Sequence, residues 1–147
     1  MFGTFLMVCT GNICRSPMAE ALLASRLSSR GVKARVESAG LAALDGEPAE
    51  PLAQALLRER GLDLSGHRSR RLTGDLVAGF ELVLVMDEAQ RRAVEREHPE
   101  ARGRVQLLGR FGGFEIPDPF GKARGEFERV LLLIERGIGE YEKAFWR

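Results

Sequence analysis

Phe5-Leu6-Met7-Val8-Cys9-Thr10-Gly11-Asn12-Ile13-Cys14-Arg15-Ser16-Pro17 is the stretch on which the fold turns. An apolar run, Phe5 to Val8, stops at a glycine-containing turn, the pattern of a buried strand. Ser16-Pro17 then opens a helix, because Ser is a favoured N-cap and Pro a favoured first helical residue. Ala19, Ala21, Leu22, Leu23 and Leu27 carry that helix to about Arg30, and Gly31 suits its C-terminal cap.

The same alternation continues down the chain. Lys33 to Glu37 reads as a second strand, before Ser38-Ala39-Gly40. A helix from near Pro51 to Arg60 stops at Gly61. Glu81 to Met86 is the strongest strand signal. Asp87 and Gln90 predict an N-cap and capping-box partner for a helix to about Glu97. Arg104 to Leu108 reads as a fourth strand, and a long amphipathic helix follows from about Glu126 to Ala144. Apolar strands alternating with helices predict an α/β fold, a parallel sheet covered on both faces. Ligands of such sheets sit beyond the carboxyl ends of the strands. The loop 9–16 falls there, as do the segments at Ser38, at Met86-Asp87 and from Gly109 onward.

Composition narrows the function. The 147 residues make one expected domain spanning 1–147. With 44% hydrophobic and 29% charged residues the chain is an ordinary globular sequence. A formal net charge of +1 leaves no electrostatic footprint for a nucleic acid. No apolar run reaches the ~18 residues of a membrane span, and the first residues lack the basic n-region of a signal peptide. The expectation is a cytoplasmic protein without membrane insertion. The two Cys, Cys9 and Cys14, cannot make an all-cysteine zinc site, and the two His are far apart in the chain.

The loop itself reads as an anion site. Helix N-termini offer unpaired N–H groups and a positive dipole end, and successive loop N–H groups form a nest. Gly11 and Asn12 suit positive φ in such a loop. A phosphate dianion fits there. The same N–H groups favour the thiolate of Cys9 at the base of the nest. Arg15 can fold over the loop and hold two phosphoryl oxygens through its planar fork. A thiolate beneath a phosphate clamped by a guanidinium is a nucleophile aimed at phosphorus.

Cys9 to Pro17 resembles the signature of the low-molecular-weight protein tyrosine phosphatases. Ser38-Ala39-Gly40, Leu64-Ser65-Gly66-His67-Arg68-Ser69-Arg70, Met86-Asp87, Leu107-Leu108-Gly109 and Ile116-Pro117-Asp118-Pro119-Phe120 fall in the family's order. The pattern is most similar to the bacterial branch paired with tyrosine autokinases of exopolysaccharide export. The resemblance implies a three-layer flavodoxin-like fold with a central four-stranded parallel sheet. It implies phosphotyrosine hydrolysis through a phosphocysteine, with no cofactor and no metal. The expected partner is a phosphotyrosine protein, such as a tyrosine autokinase, and the expected state is a monomer.

The resemblance also distributes roles. Cys9, Arg15 and Asp118 are the catalytic residues, with Asp118 as general acid between Pro117 and Pro119. Thr10, Gly11, Asn12, Ile13, Cys14, Arg15 and Ser16 bind phosphate. Ser16 doubles as helix N-cap and hydroxyl donor to the Cys9 thiolate. Asn12 is held in a strained conformation by Ser38 and His67. Cys14 matches a second thiol of the family and could capture an oxidised Cys9 as a disulfide. Thr10, Ile13, Leu44 and Phe120 are the expected pocket walls. Leu44 stands where many eukaryotic members carry an aromatic residue, and Phe120-Gly121 where an aromatic pair is common.

Three competing functions are weighed against this one. Arsenate reductases of the same fold need further downstream thiols, and no Cys follows Cys14. A phosphopeptide-binding module without turnover would need neither Asp118 nor paired thiols. A dinucleotide-binding domain would need a G-x-G-x-x-G turn after the first strand, which is absent.

Overall fold

The computed structural model describes residues 2–146. Strand β1 (Thr4–Cys9) lies inside a four-stranded sheet of order β2-β1-β3-β4, with β2 Arg35–Gly40, β3 Leu82–Val85 and β4 Val105–Leu107. Every pairing is parallel. The helices are α1 (Arg15–Ser29), α2 (Pro51–Glu59), α3 (Gly74–Ala78), α4 (Glu88–Glu97) and α5 (Arg124–Phe145).

Alternation along the strands sorts the core into two halves. Phe5, Met7 and Cys9 of β1, with Leu82 and Leu84 of β3, face Met18, Leu22, Leu56, Phe127 and Ile134 from α1, α2 and α5. Leu6, Val8, Val83, Val85 and Val105 face Val77 and Val94 from α3 and α4. Both faces of the sheet are therefore dry, which explains why the strands read as unbroken apolar runs. The three layers follow the expectation.

Several boundaries differ from it. β2 runs on to Gly40, because β1 offers partners along its whole length, Thr4 opposite Arg35 through Cys9 opposite Gly40. Ser38 and Ala39 thus sit in the ladder rather than after it. α1 begins at Arg15, with Cys14 in the cap position and no side chain capping it. The expected N-cap role of Ser16 is overturned: its hydroxyl is drawn to Cys9 and Asn12 instead. At the other end, Gly31 has φ +71°, as a helix stop requires. Asp87 does cap α4, accepting from the N–H of Gln90 at 2.8 Å. Gln90 does not complete a capping box; its carbonyl accepts from the N–H of Met86, one residue earlier. The short α3 and the 3₁₀ turns at Pro99–Ala101 and Arg110–Gly112 lack any periodic signal in the sequence.

In the order β2-β1-β3-β4, chain direction across the sheet reverses at β1, so the crevice for a ligand opens at the carboxyl end of β1. The loop 9–16 occupies that point.

Candidate active site

The surroundings hold the carbonyls of this loop in place. The Cys9 and Thr10 carbonyls accept from the N–H groups of Leu41 and Ala42, each at 2.9 Å. The Asn12 carbonyl accepts from His67 Nε2 at 2.7 Å. The Ile13 carbonyl accepts from the N–H of Glu50 at 2.9 Å. In a planar trans peptide the next N–H points the opposite way. Fixing the carbonyls outward therefore turns the N–H groups of Thr10, Gly11, Ile13 and Cys14 inward. The uncapped start of α1 adds its own N–H groups and dipole.

Asn12 is the only non-glycine residue with positive φ among the described residues, at +57°. Asn is one of the few side-chain-bearing types that tolerates this region. Fully buried, it is fastened on every side. Its Nδ2 donates to Ser16 Oγ at 2.8 Å and to Ser38 Oγ at 2.9 Å, while its Oδ1 accepts from the N–H of Arg70 at 3.0 Å. Ser38 Oγ in turn donates a hydrogen bond to Glu20 Oε1 at 2.5 Å. Burial raises the Glu20 carboxyl above its usual range, and the Ser38 bond opposes that rise.

Gly40 packs against the back of the loop. A β-carbon there would meet the Thr10 carbonyl oxygen at 2.6 Å and the Asn12 nitrogen at 3.0 Å. The loop and β2 approach so closely that only glycine fits.

Within the loop, Cys9 is 2% exposed and its sulfur lies 2.9 Å from Ser16 Oγ. Arg15 is 3% exposed although charged. Its Nη1 donates to the Ile116 carbonyl at 2.8 Å and stands 3.5 Å from Asp87 Oδ2. Its Nη2 stands 3.9 Å from Asp118 Oδ2. Asp118 is half exposed, and its Oδ1 accepts from the N–H of Phe120 at 3.0 Å, which fixes the carboxylate direction. Burial, reinforced by the negative charges of Cys9, Asp118 and Glu50, pushes the Cys14 thiol up to about 12.

A cavity of about 220 Å³ is lined by Cys9, Thr10, Gly11, Ile13, Cys14, Arg15, Asp118 and Phe120. Asn12, Ser16, Ser38 and His67 stand behind it as supports. His67 Nε2 bonds the Asn12 carbonyl, and Ser38 Oγ accepts a hydrogen bond from Asn12 Nδ2 rather than donating one to it. Leu44 is the exception: 72% exposed and outside the cavity lining. Its carbonyl is tied to Ser69 Oγ, so the expected wall at Leu44 is corrected to Ile13 and Phe120 alone on the apolar side. No group of His, Cys, Asp or Glu among the described residues is arranged to hold a metal.

Three contributors have no role in the sequence reading of the site. The sequence marks Asp87 as a helix cap at a strand end and gives it no part in orienting Arg15. Gln90, 4% exposed, donates to Thr10 Oγ1 at 3.2 Å and ties α4 to the loop. Arg70 donates through Nε to the Ser38 carbonyl at 2.9 Å and pairs with Glu37 at 2.6 Å. Ser38 and Asp87, at the carboxyl ends of the two strands that flank β1, are the available signal.

The chain is similar to known proteins along its whole length. The "Probable low molecular weight protein-tyrosine-phosphatase EpsP" of Ralstonia nicotianae is 48% identical over 138 residues, 94% of this chain and 92% of that protein. The structure of Vibrio vulnificus Wzb in complex with benzylphosphonate superposes with a TM-score of 0.92 at 35% identity, covering 99% of this chain and 100% of the other. The YwlE arginine phosphatase superposes with a TM-score of 0.91 at 30% identity, covering 96% and 94%. The family described as low molecular weight phosphotyrosine protein phosphatase matches residues 4–146. Cleft, clamp and whole-chain similarity agree, and the chain belongs to the low molecular weight phosphotyrosine protein phosphatase family.

Proposed function

We propose that the protein hydrolyses phosphotyrosine in proteins through a phosphocysteine at Cys9. The observation that supports this best is one cavity with the Cys9 sulfur on its floor and the Arg15 and Asp118 side chains at its side. In the first step the Cys9 thiolate attacks phosphorus in line, and the P–O bond to the phenol breaks. Asp118 gives its proton to the departing phenolate. Arg15 and the inward N–H groups take the charge on the equatorial oxygens. In the second step water attacks phosphorus, Asp118 takes a water proton, and the P–S bond breaks to return the thiolate.

Arg15 is prepared for this task. The Ile116 carbonyl and Asp87 hold its Nη1 side, so the guanidinium meets substrate already oriented. The apolar faces of Ile13 and Phe120 suit an aromatic ring. A phosphate-binding module has no need of an acid at Asp118, so turnover is the better reading.

The physiological partner in this reading is a bacterial tyrosine autokinase or its substrates in exopolysaccharide production, and the setting is the cytoplasm. No helix among the described residues is long and apolar enough to cross a membrane. Every group invoked comes from one chain, as a monomer requires.

Acid quench during turnover of an aryl phosphate tests the mechanism. The expected result is a phosphoenzyme on Cys9 and a Cys9→Ser protein that binds phosphate without turnover. Residual turnover above a few per cent in Cys9→Ser removes the assignment. Arg15→Lys is expected to fail as well, since an ammonium cannot grip two oxygens.

A further inference from the structure

The ends of α1 and α5 border an open groove of about 500 Å³, lined by Arg26, Arg30, Gly139, Glu142, Lys143 and Trp146. Two guanidiniums, of Arg26 and Arg30, share this lining with the single carboxylate of Glu142, an excess of positive charge. Arg26 Nη1 donates to Glu142 at 2.6 Å. Arg30 reaches the same carboxylate only at 3.8 Å, beyond hydrogen-bond range. One carboxylate thus stands between two guanidiniums that remain 38% and 39% exposed. Each guanidinium has five N–H donors, more than a single Glu142 can occupy. Gly139 brings no side chain into the space. Trp146 lines the groove as well, its ring tilted against Phe5 and set edge-on to Phe145, both with centroids 5.6 Å away.

We propose that this groove docks an acidic, aromatic-containing segment of the peptide substrate, remote from the phosphotyrosine itself. The excess positive charge selects carboxylates or phosphates, and the indole offers a face for an aromatic side chain. α1 has 15 residues, so its far end lies roughly 22 Å from the catalytic loop at about 1.5 Å per residue. An extended peptide covers at most ~3.3–3.6 Å per residue, so a docking block about ten residues from the phosphotyrosine can engage both sites. Such two-point binding raises the local concentration of phosphotyrosine at the cleft. The idea rests on the proposed phosphatase reading only in its kinetic consequence; the binding itself does not.

Trp146 is the chain's only tryptophan, so its fluorescence reports this groove directly. The probe is a Glu/Tyr-rich peptide without phosphate, titrated into wild type and Arg30→Glu. The expected result is a saturable change in Trp146 emission that weakens steeply with salt and is lost in Arg30→Glu. In the kinetic arm, a phosphotyrosine peptide carrying the acidic block ten residues away is compared with p-nitrophenyl phosphate. Arg30→Glu is expected to raise KM for the long peptide about tenfold at low salt and to leave p-nitrophenyl phosphate unchanged. An unchanged emission with equal KM values overturns the proposal, as does emission that responds to anionic phosphatidylglycerol vesicles and not to the peptide. Loss of p-nitrophenyl phosphate turnover in the wild type, with the titration intact, would instead count against the phosphatase reading.

Discussion

The hydroxyl of Ser16 lies 2.9 Å from the sulfur of Cys9, and toward the Cys9 thiolate, which has no proton to give, Ser16 is the donor. Ser16 Oγ already accepts from Asn12 Nδ2 at 2.8 Å, so its own hydrogen is available to the sulfur. A donated hydrogen bond favours the thiolate both as nucleophile and as leaving group. Ser16→Ala is expected to lower kcat about 10- to 100-fold, the range of one hydrogen bond to a charged group. Rapid quench should show phosphocysteine accumulating, because the thiolate departs more slowly. A fall in kcat without that accumulation would place the role of Ser16 in the first step only.

Asp118→Asn removes the proton that the departing phenolate needs. The loss should be about 10²–10⁴-fold for poor leaving groups and small for phenols that are already acidic. A series of aryl phosphates of graded leaving-group pKa measures this. Equal losses across the series would take Asp118 out of the mechanism and reopen Glu115. That residue accepts from the N–H of Glu88 at 2.9 Å and lines no part of the catalytic cavity.

Gly40→Ala tests the loop without touching a polar group. Its β-carbon would need the 2.6 Å space now held against the Thr10 carbonyl, and the obstacle is backbone. The loop must move, and a displacement near 1 Å can cost about 10²-fold in rate. Thermal stability should drop by roughly 1–3 kcal/mol, the usual range for overpacking. Wild-type kinetics in a folded Gly40→Ala protein would show that the loop gives way freely.

Cys14 is held as a neutral thiol, so alkylating reagents near neutral pH should consume Cys9 first and Cys14 slowly. Its pKa is pushed up to about 12 from an unfolded value of 9.0. Below pH 9 both states hold the proton and the contribution to stability is complete. From pH 9 to 12 only the folded state holds it, so stability falls as pH rises, by up to about 1.4 kcal/mol per pH unit. Cys14→Ala should flatten that part of the pH–stability curve. In the proposed redox role, peroxide inactivates the enzyme, thiol reductant restores it, and Cys14→Ser loses the recovery. Equal recovery by the mutant would leave Cys14 with packing alone.

Phe120 is 59% exposed at the rim of the cavity and is placed for a substrate ring to stack on it. Such stacking is worth about 0.5–1.5 kcal/mol, so Phe120→Ala should raise KM up to roughly tenfold. Phosphotyrosine peptides should turn over well above phosphoserine and phosphothreonine peptides, whose short stems keep phosphorus from the sulfur of Cys9, a residue only 2% exposed. Phosphoarginine peptides belong in the same assay, because one structural relative is an arginine phosphatase. Comparable rates on phosphoserine would mean a shallower cleft than the burial of Cys9 indicates.

What could be read before the structure is what acts over short stretches of chain. The apolar runs of the strands and the Gly-Asn turn declare themselves locally. The end of β2 does not: Ser38-Ala39-Gly40 resembles a turn, yet pairing with β1 extends the strand through it, and partner contacts outweigh propensity. Ser16 shows the same effect at a helix start, where a local cap loses to bonds with Cys9 and Asn12. Arg15 was legible as a clamp, but not the group that aims it, because the Ile116 carbonyl is 101 residues away. A main-chain oxygen has no letter of its own in a sequence. Leu44 is a wall only by its resemblance to the family pattern, and the irregular segment that carries it leaves the side chain exposed to solvent.

The attachments of the loop have a consequence for partial denaturation. Leu41, Glu50, His67 and Arg70, all in the connection between β2 and β3, and Ile116 beyond β4 reach it or its arginine. No single neighbouring hairpin could hold that geometry. Peeling away any one layer would release a carbonyl, a guanidinium or the Asn12 amide together with its segment. Turnover should therefore vanish in step with the first cooperative loss of tertiary order in urea, leaving no half-unfolded species that still cleaves phosphate.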